Sequence, residues 1–108
     1  MTATLPTITP ATLAQALGQQ PQAVMVDVRE GPELAQLPLT GLRARHIPLG
    51  QLPQHLQTLP TDQPIYLFCQ AAMRSSMAQA YLQQQGFTQA INVTGGALAW
   101  AAYVRSSS

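Results

Sequence analysis

Apolar residues in this chain fall into two patterns that alternate along its length: short continuous runs, and longer stretches in which they recur every three or four positions. The first suits strands buried on both faces, the second helices with one apolar side. Thr9 followed by Pro10 reads as an N-cap and first helical residue, opening a helix with Leu13, Ala14 and Leu17 on one side and Gly18 as its close. Ala23 to Val28 is almost unbroken in apolar residues and predicts a buried strand. Glu30 to Leu34 follows as a short helical turn, Arg45 to Pro48 as a brief strand, and Leu49 to Leu56 as a short helix interrupted by Pro53. Ile65 to Phe68 is the next strand. Ser75 to Gln85 reads as a helix with Met77, Ala78, Tyr81 and Leu82 on its apolar face and Gly86 as its stop. Ile91 to Val93 predicts another strand, and Gly95-Gly96 turns into a last helix through Leu98, Trp100 and Tyr103, ending near Ser106-Ser107-Ser108. Strands alternating with helices argue for an α/β fold with a parallel sheet covered on both sides, where ligands bind outside the carboxyl ends of the strands.

One such end carries the only cysteine, Cys69, directly after Ile65-Tyr66-Leu67-Phe68. The loop that follows, Gln70-Ala71-Ala72-Met73-Arg74-Ser75, opens a helix, where unpaired N–H groups and the positive end of the helix dipole favour an anion. The thiolate rather than the thiol is the nucleophile, and helix N-termini and nearby cations promote it. Alone, a cysteine ending an apolar strand is more often an inert core residue. Arg74 alters that balance. An arginine in the first turn opposes the helix dipole and needs another reason to be there, which an anion held in the loop would supply.

The spacing Cys69-x4-Arg74, followed by Ser75-Ser76, resembles the active-site loop of the rhodanese-like sulfurtransferases. The likeness continues in Val26-Asp27-Val28-Arg29-Glu30 with Glu33, in His46-Ile47-Pro48, and in Gly86-Phe87, Asn92-Val93, Gly95-Gly96 and Trp100, which fall in the family's order. This resemblance implies a three-layer sandwich: a central, mainly parallel five-stranded sheet with helices on both faces. It also implies a sulfur carried on Cys69 as a persulfide, cradled by Gln70, Ala71, Ala72, Met73, Arg74 and Ser75, with Asp27 and Arg29 lining or bracing the pocket. Thiosulfate is the donor it suggests, and cyanide, a small thiol or a protein thiol the acceptor, with neither cofactor nor metal. The chain departs from the family at Ala72, usually glycine, and at Arg45 and Leu49. If the backbone at 72 needs a positive φ, alanine holds it at a cost.

Composition narrows the partners. The chain has 108 residues, 46% of them hydrophobic, and is expected to form a single domain over 1–108. All five basic residues are arginine and the net charge is +1, which leaves neither a nucleic-acid patch nor a polybasic membrane anchor, and no lysine for Schiff-base chemistry. One cysteine allows no internal disulfide. Met1-Thr2-Ala3-Thr4-Leu5-Pro6 lacks the pattern of a secretory signal, and no apolar run approaches the roughly 20 residues of a membrane helix, so a cytoplasmic monomer or weak homodimer is expected.

The same residues bear on other chemistries. Phosphatases of related fold close their cysteine loops one residue later, making a wider ring for phosphate. Arsenate reduction by paired cysteines lacks its second cysteine. A binding, regulatory or sulfur-carrier module without turnover stays open. Asp27 and Arg29, two apart on a strand, share a face and equally suit a structural ion pair. His46 has no metal-ligand spacing around it and reads as a structural hydrogen-bonding residue. Trp100 and Tyr103 read as core and Gly95-Gly96 as a turn.

Overall fold

The computed structural model describes residues 5–107; Met1 to Thr4, most of the stretch read for a signal, and Ser108 of the tail lie outside it. Five strands make one sheet in the order β1-β5-β4-β2-β3, every neighbouring pair parallel. They are β1 (Thr7–Ile8), β2 (Val24–Asp27), β3 (Arg45–His46), β4 (Ile65–Phe68) and β5 (Ala90–Val93). The fold is therefore α/β with a five-stranded parallel sheet. β1 was not foreseen: two residues carry no readable periodicity, and pairing with β5 (Thr7 beside Asn92, Ile8 beside Val93) is what defines them.

Alternation along β4 shows why the strands read as continuous apolar runs. Ile65 and Leu67, with Cys69 beyond them, enter a core shared with Val26, Val28, Leu52, Ala78 and Leu82, while Tyr66 and Phe68 enter a second core with Leu13, Met25, Val93 and Trp100. The helices α3 (Leu52–His55) and α4 (Met73–Gln84) cover the first face, and α1 (Pro10–Gln19) and α5 (Gly96–Ser107) the second. Trp100 lies edge-on to Phe68, ring centroids 6.5 Å apart, and donates its indole N–H to the Thr40 carbonyl at 3.0 Å.

Several boundaries differ from the pattern read in the sequence. Gly18 does not close α1; the helix runs to Gln19, and the Gln20 N–H still reaches the Ala16 carbonyl. The turn after Glu30 is α2 (Gly31–Gln36), opened by a reciprocal cap between Glu30 and Glu33. Residues 49–58 form a short 3-10 turn, then α3, then another 3-10 turn, and Pro53 sits in the first turn of α3 rather than interrupting it. α4 begins at Met73, two residues earlier than the apolar pattern suggests. Its inner face holds Ser75, Ala78, Gln79 and Leu82, whereas Met77 is 59% exposed. Gln79 is inside because its amide donates to the Pro6 and Ala90 carbonyls, at 2.6 and 2.9 Å. Among the described residues, no helix is long and apolar enough to cross a membrane.

Candidate active site

The chain runs β2 to β3 on one side of the sheet and β4 to β5 on the other, so its direction of winding switches between β2 and β4. Their carboxyl ends are level at Asp27 and Phe68, and the chain continues from them to Arg29 on one side and to Cys69 and Gln70 on the other, with Arg29 donating to Gln70. A crevice forms at such a switch point because the connections leave it in opposite directions.

Cys69 leaves β4 into a tight loop seated on the start of α5. The Ala97 and Leu98 N–H groups, among those a helix N-terminus leaves unpaired, donate to the Cys69 and Gln70 carbonyls at 2.8 and 3.1 Å. Gly96 permits this approach. Its φ is +59°, and a Cβ there would collide with the Cys69 carbonyl and lie 2.9 Å from that of Gln70. Gly95-Gly96, read in the sequence as a turn, is thus also the seat of the cysteine loop.

At Ala72 the backbone turns left-handed, with φ 85° and ψ 0°, and α4 begins. It is the one non-glycine residue with positive φ among the described residues. This orientation aims the Ala72 N–H at Cys69 Sγ, 2.9 Å away. Ser75 Oγ lies 3.3 Å from the same sulfur and donates to Asn92 Oδ1 at 2.5 Å. The first N–H groups of α4 have no intrahelical acceptor, and with these donors they make the surroundings of the sulfur receptive to negative charge. Cys69 is only 1% exposed. Ala71 and Met73 face outward instead, Met73 being 80% exposed.

Asp27 and Arg29 form a buried ion pair. Arg29 Nη2 is 2.8 Å from Asp27 Oδ2, its Nε donates to both carboxylate oxygens at 3.0 and 3.1 Å, and its backbone N–H donates to Oδ1 at 3.0 Å. The remaining Arg29 nitrogen donates to Gln70 Oε1 at 3.0 Å. The pair is a buried structural link, and through Gln70 it ties the end of β2 to the first loop residue. His46 donates from Nε2 to the Arg29 carbonyl at 2.6 Å, the structural role read for it.

Arg74 has a partner that sequence reasoning did not find. Its guanidinium grips the Glu33 carboxylate with two parallel bonds of 2.6 and 2.5 Å, tying α2 to the first turn of α4. A carboxylate from another element gives arginine a reason to stand at this point that periodicity does not show. The Arg74 hydrogen bonds, with that of the Glu30 N–H, hold the Glu33 carboxyl down to about 2, and Glu33 raises Arg74 in return. The two residues stand 41 apart in the chain, and no periodicity links them.

The site thus gathers Cys69, Ala72 and Ser75 around the sulfur, Gln70 on the Arg29 brace, and Arg74 at the rim. Sequence reasoning gave no chemical role to Asn92, Glu33 or Gly96, which entered only as members of a pattern. Among the described residues, no three His, Cys, Asp or Glu side chains come together to hold a metal ion. A depression of about 350 Å³ lined by Gln20, Pro21, Gln22, Ala23, Gln63 and Pro64 lies at the other end of the strands and carries no reactive group.

A family model for the rhodanese-like domain matches residues 9–103. A sulfurtransferase of Allochromatium vinosum is 34% identical over 89 residues, covering 82% of this chain and 81% of that protein. A thiosulfate sulfurtransferase of Vibrio cholerae is 36% identical over 87 residues, covering 81% and 80%. The crystal structure of a rhodanese-like domain protein from Staphylococcus aureus superposes with a TM-score of 0.79 at 30% identity, covering 89% of this chain and 91% of that one.

Proposed function

The chain belongs to the rhodanese-like domain family, and from that premise we propose that it transfers sulfane sulfur through a persulfide on Cys69. One observation carries the reading. The sole cysteine receives the N–H of a left-handed Ala72 at 2.9 Å, at the mouth of a helix N-terminus. A thiolate stabilised in this way needs no neighbouring general base.

The transfer has two steps. The Cys69 thiolate attacks the outer sulfur of the donor; with thiosulfate, the S–S bond breaks, sulfite leaves with the bonding pair, and Cys69 retains one sulfur. The new S–S bond, about 2 Å long, extends the reactive atom toward the unpaired amides of residues 73–75. A thiophilic acceptor, cyanide or a thiol, then takes that outer sulfur and returns Cys69 as thiolate. Incubation with thiosulfate should add the mass of one sulfur atom to the intact protein, and the Cys69→Ser variant should add none. Sulfur uptake by that variant would remove Cys69 from the reaction.

The charge balance at the rim favours a second reading, that of a sulfur carrier loaded from a donor that is not a dianion. Arg29 and Arg74 are each paired with a carboxylate, so neither guanidinium is left to receive a dianion. On this reading the Cys69 thiolate attacks the outer sulfur of an organic persulfide, whose S–S bond breaks as the organic thiolate leaves, and thiosulfate adds no sulfur; the same mass measurement with the two donors separates the readings.

A further inference from the structure

Residues with a Cβ avoid the conformation of Ala72. Such a backbone persists only where its surroundings over-determine it. Three donors converge on the Ala72 carbonyl: the Ser76 N–H at 3.2 Å, Ser76 Oγ at 2.9 Å and Asn92 Nδ2 at 3.2 Å. The first comes with the helix whatever residue stands at 72. The second belongs to an exposed residue whose hydroxyl can turn to water. Asn92 has no such alternative, being 4% exposed and fixed in β5 beside Leu67.

The hydrogen bonds of its carboxamide admit one orientation. The Ala72 carbonyl only accepts, so Nδ2 faces it, and the same nitrogen donates to Ser76 Oγ at 2.7 Å. The oxygen is left to accept from Ser75 Oγ at 2.5 Å. Ser75 has one proton for two acceptors, Asn92 Oδ1 and Cys69 Sγ. The Ala72 N–H is therefore the donor the sulfur keeps in either arrangement, and its aim depends on the left-handed turn.

We propose that Asn92 is a positioning residue for Cys69: its carboxamide holds Ala72 in the left-handed conformation that points the Ala72 N–H at the sulfur. Asn92 touches neither the sulfur nor a substrate and acts through Ala72, with Ser75 as a second route. It allows alanine to stand where the backbone favours glycine. The proposal rests on the sulfur-transfer reading for one of its two readouts only; the other, alkylation of Cys69 by iodoacetamide, reports on the loop whatever the protein transfers.

The test is a double-mutant cycle of wild type, Ala72→Gly, Asn92→Asp and the pair. Aspartate keeps the shape and the oxygen facing Ser75 but turns an acceptor toward the Ala72 carbonyl. In the wild-type background Asn92→Asp should slow alkylation at fixed neutral pH, and lower kcat/KM for thiosulfate, by about tenfold. With glycine at 72 the same substitution should cost less than about threefold, since glycine takes the angle unaided. An equal loss in both backgrounds overturns the proposal, because a general structural role or the added charge acts on both alike. No loss in either overturns it too. If Asn92→Asp folds only with Ala72→Gly, the coupling is shown; if it folds in neither, Asn92→Ser is carried through the same cycle and judged the same way. Coupling in alkylation without any sulfur transfer in wild type leaves the role of Asn92 standing and refutes the function proposed above.

Discussion

At the scale of single residues, chemistry and packing meet in Cys69. The sulfur lies in the hydrophobic cluster with Leu67, Ala78 and Leu82, so the residue is part of the core as well as the proposed nucleophile. Cys69→Ser should abolish sulfur transfer, since an alcohol forms no persulfide. The serine hydroxyl can accept the Ala72 N–H, which limits the cost of placing a polar group there to about 1 kcal/mol, or a melting point lower by about 4 °C. Calorimetry on the variant checks this, and a loss of several kcal/mol would mean that the loop collapses without its sulfur. Cys69 was legible because position, loop and the helix opening after it are adjacent in the chain. Glu33 and Asn92 were not, because what matters about them is a partner 41 residues away for one, and 17 and 20 residues away for the other.

At the scale of elements, the errors of reading share a cause. Periodicity assigns faces by hydrophobicity, and α4 breaks that rule: Met77 faces out while Ser75 and Gln79 face in, because hydrogen bonds to Asn92, Pro6 and Ala90 satisfy them there. Gln79→Leu keeps the volume and removes one donor from each of two carbonyls, Pro6 keeping the Asn92 N–H and Ala90 the Gln83 amide, and should destabilise the protein by about 1 kcal/mol in urea unfolding. Little change would mean that the remaining donors satisfy those carbonyls. The start of α5 offers a sharper test. Gly96→Ala places a methyl against the Cys69 carbonyl and demands a left-handed alanine, so the cysteine loop has to shift. Sulfur transfer should fall by tenfold or more and stability by about 2 kcal/mol. Full activity in that variant would show that the loop does not depend on its seat against α5.

At the scale of the whole molecule, the sheet order was legible only as a class. Alternation of strands and helices argues for a parallel, doubly covered sheet, but which strands neighbour one another follows from pairing between distant segments, and β1 exists only through β5. That order puts the switch of winding between β2 and β4, and Glu33 and Arg74 join the elements that leave it on either side. The bridge has a predictable signature in pH. The Glu33 carboxyl sits at about 2 instead of its ordinary 4.5, so its contribution is complete above the ordinary value and fades as the pH falls from about 4.5 through about 2. Side chains with 35% and 32% exposure are screened by water, and the contribution is about 0.5–1 kcal/mol rather than the full shift. Glu33→Gln should therefore unfold more easily than wild type near neutral pH, and the gap should close toward about pH 2 and shrink at high salt. Urea midpoints of the two proteins across that range decide the matter: a gap that does not change with pH or salt would mean that Glu33 holds α2 by shape and capping alone, and that its charge does nothing to close the loop over the switch point.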